Sequence, residues 1–123
     1  MKPLIGITIG DQAGIGLEII TKALSQVFDI CDTKIIGDII PTERIVYGKV
    51  NPKYGAIAGR AIKKAIDLAL EGCIDAIVTA PISKEALNLG GWNFPGHTEM
   101  LAHYTNSPNY AMMLVHQNHC VIG

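Results

Sequence analysis

Three short β-favouring runs, Leu4 to Ile9, Thr33 to Gly37 and Ile74 to Thr79, are separated by long stretches, two of which carry helical periodicity. This alternation constrains the fold more than any other feature. Parallel strands need crossover connections of a dozen or more residues, usually helices, and strand–helix alternation is the mark of an α/β sheet. The expected fold class is therefore α/β, a mostly parallel sheet with helices on both faces.

The connecting segments give the helices. Leu17 to Phe28 places Leu17, Ile20, Leu24, Val27 and Phe28 on one side. Ala56 to Glu71 is the clearest helix: Ala58, Ala61, Ile62, Ala65, Ile66 and Ala69 face one way, and Gly72 supplies a stop. Residues 38–52, broken by Pro41, Gly48 and Pro52, read as irregular. Ser83 caps a short helix ending near Asn88-Leu89-Gly90. Beyond a second helix after Thr98, Tyr110 to Val115 reads as a strand, Gln117-Asn118 as a hairpin tip and Cys120 to Ile122 as its return. Met100, Met112 and Met113 read as core fillers, and Trp92 as packed under its loop.

Composition narrows the partners. Of 123 residues, 49% are hydrophobic and 17% charged, which fits strands buried on both faces. A formal net charge of −1 gives no electrostatic footprint for nucleic acid or an anionic membrane. The N-terminus reads as neither signal peptide nor membrane span. Cys31, Cys73 and Cys120 are odd in number and lack metal-ligand spacing, which points to reduced thiols and a cytoplasmic setting. One domain is expected over residues 1–123, and an apolar run close to Gly123 reads as an unfinished sheet, part of something larger.

Ligands of open α/β sheets bind at the carboxyl ends of the strands. Two loops lie at such ends, and a third is expected to fold back to the same edge. Gly10 to Gly16 follows a strand and opens a helix, the setting of a phosphate-binding loop, but its Gly-x3-Gly-x-Gly spacing is no dinucleotide fingerprint. A tight turn with packing glycines is the plainer reading, with Asp11 free to orient a substrate, a cationic ring or a metal-bound water. Thr79-Ala80-Pro81-Ile82-Ser83-Lys84 lets a ligand approach the backbone and offers the Lys84 charge to a phosphate, or else is a strand-end loop with a solvated lysine. In Phe94-Pro-Gly-His-Thr-Glu99, Pro95-Gly96 is expected to make a sharp corner and Thr98 to cap the next helix. His97 and Thr98 would then cradle a phosphate or carboxylate at a helix start; a capped turn with a surface histidine is the alternative. His103 reads as a surface or interface residue. His116 and His119 read as a polar hairpin turn, since no further ligand for a metal is in evidence.

Four segments occur in the order in which they stand in the 4-hydroxythreonine-4-phosphate dehydrogenase family of pyridoxal phosphate biosynthesis. They are Ile5 to Gly16, Asp75 to Ala86, Phe94 to Glu99 and Ala111 to Val115. The chain resembles the N-terminal portion of that family, whose motifs are shared by dehydrogenases of threonate or erythronate phosphates. The resemblance implies part of an isocitrate/isopropylmalate dehydrogenase-like fold, a homodimer or a complementary chain, and a small phosphorylated hydroxy-amino acid as substrate. It also implies NAD or NADP and a divalent metal, with oxidation of a secondary alcohol followed by loss of carbon dioxide. Residue by residue, His97 and Thr98 match the substrate-binding pair, while Asp11 and Lys84 match positions near the cleft.

The chain departs from the family at Gln12 and Leu17, where Pro is usual, and by a much shorter segment between Gly37-Asp38 and Gly48-Lys49. None of His103, His116 and His119 falls in a matching metal motif, so no metal ligand is assigned, and the chain alone is expected to be inactive. A non-catalytic phosphate-binding domain and a degenerate interaction protein are the competing readings.

Overall fold

The computed structural model describes residues 1–40 and 45–123; Pro41, one of the expected breakers, lies outside them. Strand β1 (Leu4–Thr8) is the centre of a three-stranded parallel sheet, flanked by β2 (Asp32–Ile36) and β3 (Ala76–Thr79) in the order β2-β1-β3. The register pairs Gly6 with Lys34 on one side and Ile77 on the other. Helix α1 (Gly16–Val27) joins β1 to β2, and α2 (Pro52–Leu70) joins β2 to β3. The two crossovers step in opposite directions across the sheet, so right-handed connections put the helices on opposite faces.

The α2 face is closed. Ile57, Ala61 and Ala65 of α2 pack with Ile9, Ile36 and Ile74 from the strands and their ends. The α1 face is only partly covered: Ile20 is buried, yet Ile35 and Val78 remain 39 and 52% exposed. Burial on both faces was expected of these strands, and the described residues provide it fully on one.

Helix α2 starts four residues before its apolar periodicity. Pro52 was expected as a breaker, but it occupies the first helical turn, where no amide partner is needed and φ is already helical. Asn51 caps it, its side chain accepting from the Lys53 amide at 3.0 Å. A second stripe of α2, Ile62 and Ile66, meets Leu87 of α3 (Lys84–Leu89) and Met100 of α4 (His97–Tyr104). Ser83 caps α3 as expected, accepting from the Ala86 amide at 3.1 Å.

The α2–α3 crossing is close enough to exclude any side chain at Gly55, whose Cβ would collide with the Ala86 carbonyl. Trp92 lies over Gly59 and donates from Nε1 to the Ala56 carbonyl at 3.2 Å.

The final strands form their own sheet, an antiparallel hairpin of β4 (Met113–His116) and β5 (His119–Ile122). Gln117 and Asn118 are its tip, as expected, but the strand expected from Tyr110 begins only at Met113. Met112 and Met113 are exposed and do not fill the core; Met100 does. Apolar character alone cannot tell a core residue from one on an uncovered ribbon, and every residue of β4 and β5 is exposed.

Gly55→Ala separates two opposed effects. Helix propensity favours alanine by about 1 kcal/mol, whereas overpacking against a backbone carbonyl costs about 1–3 kcal/mol. A net loss is expected as a lower urea midpoint with unchanged slope; a stabilised variant would refute the crossing.

Candidate functional site

The loop after β1 is built around Asp11. Its Oδ1 accepts from the Ala13 amide at 2.8 Å, and its own amide donates to the Pro81 carbonyl at 3.0 Å. The Gly14 amide donates to the Asp11 carbonyl at 3.0 Å. Gly10 holds a left-handed φ of +70°, and a Cβ there would strike the Pro81 carbonyl, so the loops after β1 and β3 meet backbone to backbone. The amides of residues 11, 13 and 14 are thus spent inside the fold, and the tight-turn reading of Gly10 to Gly16 prevails over a phosphate loop. One oxygen of Asp11 is likewise committed to shaping the turn.

Between these loops lies a cleft of about 260 Å³ lined by Asp11, Ile15, Lys49, Val50, Ile82 and Ser83 among others. Lys49 was not foreseen as a site residue. It reaches the cleft because the Gly48 amide donates to the Ala13 carbonyl at 2.8 Å, a non-local bond that leaves no mark in the spacing of its segment. Gln12, one of the departures noted above, works on the same segment: it is buried, and its Oε1 accepts from the Ile40 amide at 3.4 Å.

The chain bends at Pro95-Gly96, as expected, with Gly96 itself in extended backbone (φ 175°). Gly96 is buried, and the space its missing Cβ leaves is approached by Lys84, whose Cε would lie 3.5 Å from that Cβ. Asn88 fastens α3 to the corner, its Nδ2 donating to the Lys84 carbonyl at 2.6 Å and the Phe94 carbonyl at 3.2 Å.

Gly96, not Thr98, is the N-cap of α4, and no side chain caps the helix. His97 and Thr98 are its first and second residues, and both are partly buried. Consecutive helical positions point about 100° apart, and the pair diverges accordingly. Thr98 lines a separate groove of about 380 Å³ between α4 and residues 109–112, with Thr105, Ser107 and Tyr110. His97 Nε2 is buried without a hydrogen-bond partner, and burial holds its imidazole below the usual pKa. The corner therefore offers an uncharged ring at neutral pH.

Two of the four expected residues are thus neighbours of one corner, Lys84 and His97. Asp11 is linked to the segment that leads to Lys84 through the Pro81 carbonyl, and Thr98 lines the groove beside residues 109–112. His103 is exposed, its ring 5.4 Å from that of Phe94 and 4.9 Å from that of Tyr104. His116 and His119 face each other across the hairpin. All three cysteines are free thiols. Among the described residues no three His, Cys, Asp or Glu side chains gather where they could hold a metal, and no helix is long and apolar enough to cross a membrane.

A D-threonate 4-phosphate dehydrogenase of Cupriavidus necator is 38% identical over 92% of this chain and 46% of its own length. A 4-hydroxythreonine-4-phosphate dehydrogenase of Desulfosudis oleivorans is 37% identical over 92% of this chain and 45% of its own. The crystal structure of a 4-hydroxythreonine-4-phosphate dehydrogenase from Burkholderia phymatum matches with a TM-score of 0.89 at 36% identity, covering 99% of this chain and 49% of that one. The chain spans about half the length of these relatives. The Cupriavidus alignment extends over 154 positions, more than the 123 residues present here, so that relative carries residues with no counterpart in this chain. The family described as pyridoxal phosphate biosynthetic protein PdxA matches residues 11–122, and the chain belongs to that family.

Proposed function

We propose that this chain forms the substrate-anion part of a cytoplasmic NAD(P)-dependent, metal-assisted dehydrogenase acting on a small phosphorylated hydroxy acid, 4-hydroxythreonine 4-phosphate by preference. The observation that carries this reading is His97: a buried imidazole nitrogen with no partner, at the uncapped start of α4. An orphaned buried polar atom is costly unless something bonds it. A phosphate or carboxylate oxygen would accept from the His97 N–H and from the open first-turn amides of α4.

A divalent metal would polarise the reacting oxygen and the nicotinamide would accept the hydride. The described residues do not fit either group: no three-donor cluster is present, and three amides of the Gly10 to Gly16 loop are already bonded internally. The work assigned to this chain is binding: His97 and the α4 amides hold the anion, while Asp11 keeps the adjoining loop in shape. The exposed β4–β5 hairpin is proposed to be covered in a homodimer or by a complementary chain. D-threonate 4-phosphate, the substrate in the Cupriavidus relative's name, is the alternative substrate, and a phosphate-binding domain without catalysis is the alternative class.

Inorganic phosphate at a hundredfold excess over Kd is expected to stabilise the fold by about 2.7 kcal/mol, and His97→Asn to remove that gain. Equal stabilisation of both proteins would reduce the effect to a general salt effect and sink the reading. With NAD(P), divalent metal and substrate supplied, the 123-residue chain alone is expected to give no NAD(P)H absorbance; robust turnover would overturn the division of labour proposed here.

His97 also sets a pH dependence. Its folded value lies below the ordinary imidazole value of about 6.5, so the unfolded chain binds more protons just below that pH. Its contribution is flat above about pH 6.5 and declines as pH falls from there towards the folded value. His97→Asn is expected to narrow the difference in urea midpoint between pH 7.5 and 5.5. An unchanged difference would contradict the burial of the ring.

A further inference from the structure

We propose that Lys84 is the anion-binding residue that supplies the positive charge at the His97 corner, and that it selects a dianionic phosphate monoester over a neutral or monoanionic group. This deepens the proposed function and rests on it.

The His97 corner lacks a charge of its own. The imidazole is uncharged at neutral pH, and backbone amides carry only partial charge. Lys84 crosses this corner. Lys84 is exposed, and its Cε lies in van der Waals range of the position a Gly96 Cβ would take, which puts its stem against the residue that precedes His97. Two anchors define where that stem starts: the Ser83 cap on α3 and the Asn88 bridge to the Lys84 and Phe94 carbonyls. Among the described residues no carboxylate pairs with Lys84, in contrast to Lys63, which Asp67 holds at 2.7 Å, and Lys22, which Glu18 meets at 3.4 Å. Arg60, Lys63 and Lys64 line a different groove with Asp38 and Asp67. An exposed lysine with a buried glycine beside its stem and, among the described residues, no carboxylate on its charge is within reach of an anion bonded to His97.

The division of roles has a chemical consequence. A neutral imidazole N–H and backbone amides fix the position of an oxygen, while the ammonium, a compact point charge with three donors, rewards net negative charge.

The test is calorimetric titration of the full 123-residue chain with inorganic phosphate and with O-phospho-L-threonine at two salt concentrations. The proteins compared are wild type, Lys84→Gln, Lys84→Arg, Lys64→Gln and His97→Asn. Lys84→Gln is expected to weaken both ligands about tenfold or more, the usual size of a charge-assisted hydrogen bond, and to flatten the salt dependence. Lys84→Arg should bind within about threefold of wild type and Lys64→Gln as wild type, since charge at position 84 is what counts. Thermal melting without ligand checks that each variant is folded. If His97→Asn abolishes binding while Lys84→Gln binds as wild type, the Lys84 inference falls and the His97 site stands. Failure of Lys84→Arg to restore binding would also overturn it. If wild type binds no phosphate, or His97→Asn binds undiminished, the site itself is wrong and both readings fall.

Discussion

Everything in this molecule hangs on the two-sided burial of α2. One stripe, Ile57, Ala61 and Ala65, closes the sheet; an adjacent stripe, Ile62 and Ile66, closes α3 and α4. A surface helix buries one stripe and leaves the opposite face polar. Here the polar residues Arg60, Lys63, Lys64 and Asp67 are confined to a narrow outer strip. Small residues make this possible. Gly55 and Gly90 let α2 and α3 approach to backbone contact, and Gly59 gives Trp92 its seat. At interior packing density no side chain can simply be added to such a crossing.

That packing places the chemistry. Strand β3 ends at Thr79, and Ala80 and Pro81 turn the chain against the loop after β1. Ser83 then starts α3, whose Leu87 is fixed on α2. Asn88 ties the far side of α3 to Phe94, and Met100 anchors α4 on the same α2 stripe. Lys84 and His97 are therefore the first residues of two short helices docked on one longer helix, with the Lys84 stem against Gly96. Helices of six and eight residues are marginal by themselves, so the geometry of the corner is a product of tertiary packing.

This explains what the sequence disclosed and what it hid. Periodicity marked the three parallel strands, α1 and the body of α2, because a face packed against a sheet must be apolar at regular intervals. The Ser83 cap was legible because capping is local. Pro52 misled because the same residue breaks a helix in its middle and starts one at its end. Thr98 misled for a related reason: a hydroxyl before an apolar turn suggests a cap, yet the helix had already begun at His97. Met112 and Met113 belong to a ribbon uncovered among the described residues. The site was half legible. His97 and Lys84 stood out by residue type and by motif, but their proximity depends on Gly96 and Asn88, and Lys49 enters the cleft through a long-range backbone bond.

The shortened connection between β2 and α2 shows how a site wall can survive a large change in loop length. Closing a flexible loop costs free energy only logarithmically in its length, so removing residues from such a connection alters stability little by itself. What matters is whether the ends still meet the right surface. Here they do: the Gln12 side chain holds Ile40 as the segment leaves, and the Ala13 carbonyl holds Gly48 as it returns. Proline at position 12, usual in the resembled family, has no side-chain acceptor to offer Ile40. A glutamine there adds a tether where the connection is shorter. Gly48, Lys49 and Val50 are thereby delivered to the cleft beside Asp11. The Gln12 side chain thus meets one end of the connection and the Ala13 carbonyl the other, and it is the second bond that keeps the Gly48 to Val50 wall of the cleft in place.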